Sequence, residues 1–171
     1  MSWVVLIHRV PREPSTPRIS IWRKLRALGV AQLSDGTVAL PEDARTREQL
    51  EWVADQVVQA GGTALLLRAQ PLAGRDERAL AAGMAEARAQ EYRELAAAVA
   101  TAAAADSTPA EGARTVRRLR KELRAIQRRD FFPPPERDAA AAAVADLAAK
   151  LTQPEAVAPR RAAADRTRSR A

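Results

Sequence analysis

The stretch Val30-Ala31-Gln32-Leu33-Ser34-Asp35-Gly36-Thr37-Val38-Ala39-Leu40-Pro41 decides the fold. Val30 to Leu33 and Val38 to Leu40 are short apolar segments, and Asp35-Gly36 stands between them. Asp-Gly in that setting is the strongest short-range hairpin signal, because both central positions of the favoured turn need positive φ. Pro41 has no N–H for a further ladder bond and ends the second strand. Two antiparallel strands are thereby placed, and their flanks settle the rest.

Upstream, Trp3-Val4-Val5-Leu6-Ile7 is a continuous apolar run of the kind that forms a strand buried on both faces. Pro11, Pro14 and Pro17 then interrupt regular structure. Thr16-Pro17 has the chemistry of an N-cap followed by a first helical proline. Ile19, Trp22, Leu25 and Leu28 recur every three residues as a core stripe, and Gly29 stands where a left-handed C-terminal cap is expected. Downstream, Thr46 to Ala60 carries Leu50, Val53, Ala54 and Val57 on one helical face, with Trp52 also expected in the core. Gly61-Gly62 ends that helix, and Thr63 to Ala69 is a last, leucine-rich strand. The order is β-α-β-β-α-β. With right-handed crossovers it folds as an antiparallel four-stranded sheet with both helices on one face, the ferredoxin-like arrangement, over residues 1–72. A fold shared by so many proteins carries no activity by itself.

Residues 76–151 are alanine-rich and helical, so the class is α+β with an α-helical hairpin or bundle extension. Asp76 to Ala105 forms a long helix with Leu80, Met84, Tyr92, Leu95 and Val99 as its larger apolar groups. Asp106-Ser107-Thr108-Pro109 breaks it. Ala110 to Arg129 follows, with Val116, Leu119, Leu123 and Ile126 in a coiled-coil-like seam. Phe131-Phe132-Pro133-Pro134-Pro135 ends this helix, the two rings being expected on the hairpin or as anchors for a partner. Glu136 to Leu151 is the last helix. Residues 152–171 read as a disordered basic tail.

The 171 residues include no cysteine and one histidine. Disulfides, thiolate metal sites and thiol redox chemistry are excluded, and His8 alone cannot build a multi-histidine zinc site. No cofactor is called for. Binding, scaffolding, or chemistry by carboxylates and arginines remains. The run Trp3 to Ile7 is too short for a signal peptide, and Leu95 to Ala105 spans about half a membrane, so a cytoplasmic protein without membrane contact is expected.

The formal net charge of +7 is unevenly placed. Residues 1–110 hold thirteen basic and thirteen acidic side chains, whereas residues 111–129 hold eight basic and two acidic. Arg114, Arg117, Lys121, Arg124 and Arg128 fall on one helix face, flanked by Arg118, Arg120 and Arg129. Such a stripe suits phosphate contacts to DNA or another polyanion, strongly dependent on salt. Its bland counterpart is a solvated outer face. No helix-turn-helix is present, and without interleaved aromatics single-strand stacking is not expected.

The pattern Pro11, Ser15, Arg18, Trp22-Arg23, Leu28-Gly29, Leu33, Asp35-Gly36, Leu40-Pro41, Trp52 and Gly61-Gly62 resembles the N-terminal domain of the chromate-resistance ChrB family. Arg88, Glu91-Tyr92 and Asp130-Phe131-Phe132-Pro133 resemble its helical part, so the likeness covers roughly residues 2 to 150. The resemblance implies regulation of a chromate-resistance operon in response to chromate or sulfate. It also implies a further C-terminal domain, which this chain is expected to lack.

In that light His8, Arg9, Arg12, Arg18 and Arg23, around the end of the first strand and the first helix, are candidates for binding such an oxyanion. Arg18 lies near a helix N-terminus that favours an anion. The ordinary alternative pairs these arginines with Glu13, Asp35 or Asp55. The sheet half also resembles the Cas2-like domain of phenylacetate-type repressors (the PaaX family). Relatives of that domain that cut nucleic acid hold a metal with an acid at the end of the first strand. Here Ile7-His8-Arg9-Val10-Pro11 puts Arg9 there, and a cation repels the metal, so a nuclease is not expected.

The expectation is a non-enzymatic regulatory module, a homodimer, that binds DNA or an oxyanion. Lacking cysteine, it would answer chromate by binding the anion rather than reducing it. The alternative is a structural or interaction protein, or a dimerisation module, whose basic helix contacts a partner.

Overall fold

The computed structural model describes residues 1–152. The tail expected to be disordered lies, beyond Thr152, outside the described residues. The elements run β1 (Trp3–Arg9), α1 (Ser15–Leu28), β2 (Ala31–Ser34), β3 (Thr37–Pro41), α2 (Ala44–Gln59), β4 (Thr63–Ala69), α3 (Gly74–Ala104), α4 (Pro109–Gln127) and α5 (Glu136–Thr152). The four strands form one sheet in the order β2-β3-β1-β4, every neighbouring pair antiparallel.

Register fixes what each face of the sheet carries, because residues directly opposite one another share a face. Leu6 lies opposite Leu66 and Val38, and Val4 opposite Leu40. Ile21 and Leu25 of α1 and Leu50, Val53 and Val57 of α2 belong with them to one buried cluster. Trp3, Val5 and Ile7 look the other way. The Phe132 ring stacks on Trp3 there, with centroids 6.1 Å apart. Leu80, Met84, Phe131 and Phe132 pack into the same cluster, so the helical half closes part of the second sheet face. The two rings are therefore used inside the chain and are not exposed anchors. A second cluster joins Tyr92, Leu95 and Val99 of α3 to Val116, Leu119 and Ile126 of α4 and to Ala140, Val144 and Leu147 of α5.

The hairpin stands where expected, with a different turn. Gly36 has φ +71°, and no non-glycine residue among the described residues has positive φ, Asp35 included. The pairing jumps from Ser34↔Thr37 to Gln32↔Val38, so Leu33 is an extra residue bulged out of the ladder. Gly36 also accepts a hydrogen bond from the His8 N–H at 2.6 Å, which ties the turn to β1.

Helix α1 begins at Ser15 with Pro14 at the N-cap, and no side chain caps it. Thr16 is thus inside the helix. Pro17 falls at the third helical position, where a cap acceptor would seek an N–H that proline lacks. The core stripe also differs. Ile21 and Leu25 are buried, while Trp22 is 53% and Ile19 43% exposed. A spacing of three drifts by about 60° per step around a helix of 3.6 residues per turn, so Ile19 and Leu28 end on opposite sides. Trp52 is 65% exposed because it stands one residue, about 100° of helix rotation, away from the buried Val53. By contrast, α2 is capped on both sides of its first turn. The Asp43 carboxylate accepts from the Thr46 N–H at 2.6 Å, and the buried Thr46 hydroxyl accepts from the Asp43 N–H at 2.9 Å.

Candidate nucleic-acid interface

Helix α4 starts on a capping box. Pro109 sits in its first turn, and the Glu111 carboxylate accepts from the Thr108 N–H at 2.9 Å. The Thr108 hydroxyl donates to the same carboxylate at 2.7 Å, and that bond, then the one from the N–H, holds the Glu111 carboxyl below its usual range. Gly112, Val116, Leu119 and Ile126 turn inward onto α3 and α5. That inward seam forces the remaining positions outward. Arg114, Arg117, Arg118, Arg120, Lys121, Arg124 and Arg128 are all exposed.

Arg118 pairs loosely with Glu122 at 3.7 Å. The side chains of Arg114, Arg117, Arg120, Lys121 and Arg124 have no ion pair or hydrogen bond among the described residues. Along the helix axis Arg114 to Arg128 extends about 21 Å at 1.5 Å per residue. This is a row of free cations on a rigid rod, with one carboxylate, Glu122, beside it. Arg128 stands at the end of the row, and its carbonyl accepts from Arg45 Nη1 of α2 at 3.1 Å. The guanidinium of Arg45 in turn lies 5.5 Å over the Phe131 ring.

Arg129, expected at the flank of the stripe, turns inward instead. Its Nη2 donates to Glu91 Oε2 at 2.8 Å, and Glu91 Oε1 accepts from Arg88 Nη2 at 3.2 Å. One turn away the Tyr92 hydroxyl donates to Asp130 Oδ2 at 2.9 Å, and the Asp130 side chain is fully buried. Arg137 approaches the same carboxylate at 3.9 Å. Burial pulls the Arg88 guanidinium below its usual pKa, with Glu91 working against that shift. Burial, then the bond to Asp130, drives the Tyr92 phenol well above its usual value. Residues 88, 91, 92, 129 and 130 thus form one part-buried polar cluster where α3, the end of α4 and the cap of α1 meet. The signal that flags Arg88 is a charge on the apolar side of an amphipathic helix, whereas Asp130 lies in the loop after α4 and carries no such local mark.

The five residues considered for an oxyanion are brought together only in part. His8 and Arg18 line one cleft of about 390 Å³, with Trp22, Arg26, Gln32 and Asp35. The Arg26 guanidinium lies 4.9 Å over the Trp22 ring. His8 Nδ1 is buried without a partner, and burial lowers the imidazole pKa. Arg12 shares with Arg18 an open depression around Glu13 to Thr16. Arg23 lines another surface with Ile19 and Lys24. Arg9 is exposed at the end of β1. None of the four arginines forms an ion pair with Glu13, Asp35 or Asp55. No group of three or more His, Asp or Glu able to hold a metal occurs among the described residues, and no helix there is long and apolar enough to cross a membrane.

The family model "Protein ChrB, N-terminal" matches residues 18–107, from the first turn of α1 to the end of α3 and the loop after it. The chain is also similar to Protein ChrB of Cupriavidus metallidurans, with 31% identity over 134 residues. That alignment covers 77% of this chain and 41% of the relative, so the chain spans about two fifths of the length of the curated protein it matches. No solved structure matches the chain. The basic row on α4 begins just past the stretch matched by the family model, whereas Gly29, Arg88, Glu91 and Tyr92 of the polar cluster lie inside it. By that match across more than half of its residues, the chain belongs to the ChrB N-terminal family.

Proposed function

We propose that this chain is a non-enzymatic regulatory module of chromate resistance that binds DNA through the outer face of α4. The observation that carries the reading is the unpaired row Arg114, Arg117, Arg120, Lys121 and Arg124, exposed on one helix. Family membership supports the chromate-resistance context. The sheet order supports reading the first half as ferredoxin-like, a scaffold that presents the helical half. The proposed place of action is the cytoplasm, where chromosomal DNA is reached. The chain has no cysteine to reduce chromate, so any response to chromate or sulfate would come from binding the anion. Of the cations first considered, His8 and Arg18 are the pair that share a cleft, and Asp35 in the same cleft opposes an anion there.

The test is a gel shift on DNA from upstream of the encoding operon, repeated across a salt series and with chromate present. About four or five phosphate contacts predict a slope near −4 in log affinity against log salt. Affinity independent of salt would sink the reading. A second reading has the same face dock an acidic partner protein, and it is favoured by one observation: the family-model match stops before α4.

A further inference from the structure

Strand β4 pairs with β1 alone, through seven successive residue pairs from Trp3↔Ala69 to Arg9↔Thr63, and its other edge pairs with no described strand. A free edge invites another strand, and folded proteins blunt such edges with proline, bulges or unpaired charges. β4 has none of these. Its sequence Thr63-Ala64-Leu65-Leu66-Leu67-Arg68-Ala69 contains no proline, and its pairing with β1 shows no break in register. Its single charge, Arg68, is already held by Glu42, whose Oε1 accepts from Arg68 Nε at 2.7 Å.

The edge is also apolar on its open face. Leu65 and Leu67 are 54% and 42% exposed, and Ile7, directly opposite Leu65, is 41% exposed. These three share the sheet face that carries Trp3 and Val5, beyond the part covered by Phe132. Val58 of α2, on the other sheet face, is exposed as well.

We infer that two copies of the chain pair edge to edge here, β4 against β4, antiparallel about a two-fold axis at Leu66. The occupant is a second copy because Leu65-Leu66-Leu67 reads the same in both directions. About that axis Leu65 stands opposite the partner subunit's Leu67, and Leu67 opposite the partner subunit's Leu65. Each is then a directly facing apolar pair of the kind that stabilises sheets. The charge at the edge agrees: Arg68 is the one charged residue of β4 and is paired with Glu42, so two β4 edges meet without unpaired like charges. The cations concentrated on α4 belong to the other, helical cluster. The pairing extends the sheet to eight strands and removes one free edge from each copy. This inference is independent of what α4 binds.

Sedimentation of the full chain, with the variant Leu65→Lys/Leu67→Lys beside it, tests the pairing. The native chain is expected at twice the mass of a single chain. The double variant, with lysines facing lysines, is expected as a monomer with unchanged circular dichroism. Register is tested separately, since the chain has no cysteine of its own. A mixture of Leu65→Cys and Leu67→Cys chains is expected to cross-link on oxidation. Either variant alone is not, because its thiols would sit diagonally at about 7–8 Å, too far for a disulfide. A monomeric native chain, a dimer that survives both lysines, or cross-linking by the single variants as efficient as by the mixture would each overturn the proposal.

Discussion

The guanidinium of Arg88 lies against the backbone of Gly29: a Cβ placed on Gly29 would stand 2.5 Å from Arg88 Nη1 and 2.9 Å from the Cβ of Arg129. Gly29 also has φ +73°, a conformation that suits glycine at the end of α1. The end of a sheet-covering helix and the polar cluster of the helical half therefore depend on the same small residue. Gly29→Ala is expected to cost about 1–3 kcal/mol, with a fall of several degrees in the thermal midpoint. An unchanged midpoint would show that the two halves do not meet as described.

Tyr92 is the chain's one tyrosine, so its ionisation can be followed directly by ultraviolet titration. Its phenol is buried and donates to Asp130, so its pKa lies above the unfolded value of about 10. A raised pKa favours the neutral form in the folded state. The stability that it contributes is complete below about pH 10 and is lost as pH rises through the folded value. Urea unfolding should therefore weaken on the alkaline side, and Tyr92→Phe should flatten that loss. At neutral pH the same substitution should cost about 1–3 kcal/mol, because it leaves Asp130 buried with one bond fewer. A phenol that titrates near 10 would contradict the burial of this pair.

Arg117 and Arg129 are both arginines of the basic segment and should behave oppositely. Arg129→Ala removes a partner of Glu91 and is expected to lower stability by about 1–2 kcal/mol. Reversing charge at Arg117, Lys121 and Arg124 should leave the thermal midpoint within about 2 °C while abolishing retention on heparin. Full retention by the triple variant would remove α4 from the binding face.

The three tryptophans separate the core from the surface. Trp3 is 1% exposed beneath Phe132, while Trp22 and Trp52 are 53% and 65% exposed. Trp3→Ala should cost about 3–5 kcal/mol, and Trp52→Ala within about 0.5 kcal/mol of nothing. Acrylamide should quench most of the native fluorescence through the two exposed indoles. Equal destabilisation by both substitutions would return Trp52 to the core.

His8 gives an acid-side counterpart. Burial lowers its pKa below the unfolded value of about 6.5, so the neutral form is favoured in the folded protein. Stability from this source is present above about pH 6.5 and declines as pH falls through the folded value. Proton resonances of the single histidine should titrate below 6.5; a midpoint above it would mean that an anion or carboxylate holds the charged form.

Much of the order was readable because it depends on neighbours in the chain. Asp35-Gly36 marked the turn, Gly29 and Gly61 marked the two left-handed ends, and β4 began and ended at Thr63 and Ala69 as its leucines and the preceding glycines suggested. Errors came where a pattern had to be converted into a direction. The every-third-residue spacing of Ile19, Trp22, Leu25 and Leu28 looked like a face, although three steps do not complete a helical turn. Trp22 and Trp52 read as members of the core-facing helical stripes, yet a large aromatic is buried only if a neighbouring element reaches it.

The amino-acid sequence by itself determined the string of elements, the neutral charge of residues 1–110 and the row of cations on α4, because each rests on local spacing and composition. Only the tertiary structure decided that Arg129 leaves that row for Glu91, and that Phe132 covers Trp3. It alone brought Gly29, Arg88, Tyr92 and Asp130 to one place. Those residues are separated by as much as a hundred positions, and no local preference records which distant side chain will offer a buried charge its partner. The same holds for the outer edge of β4: its leucines mark a strand in the sequence, but the order β2-β3-β1-β4 is what leaves them without a neighbour.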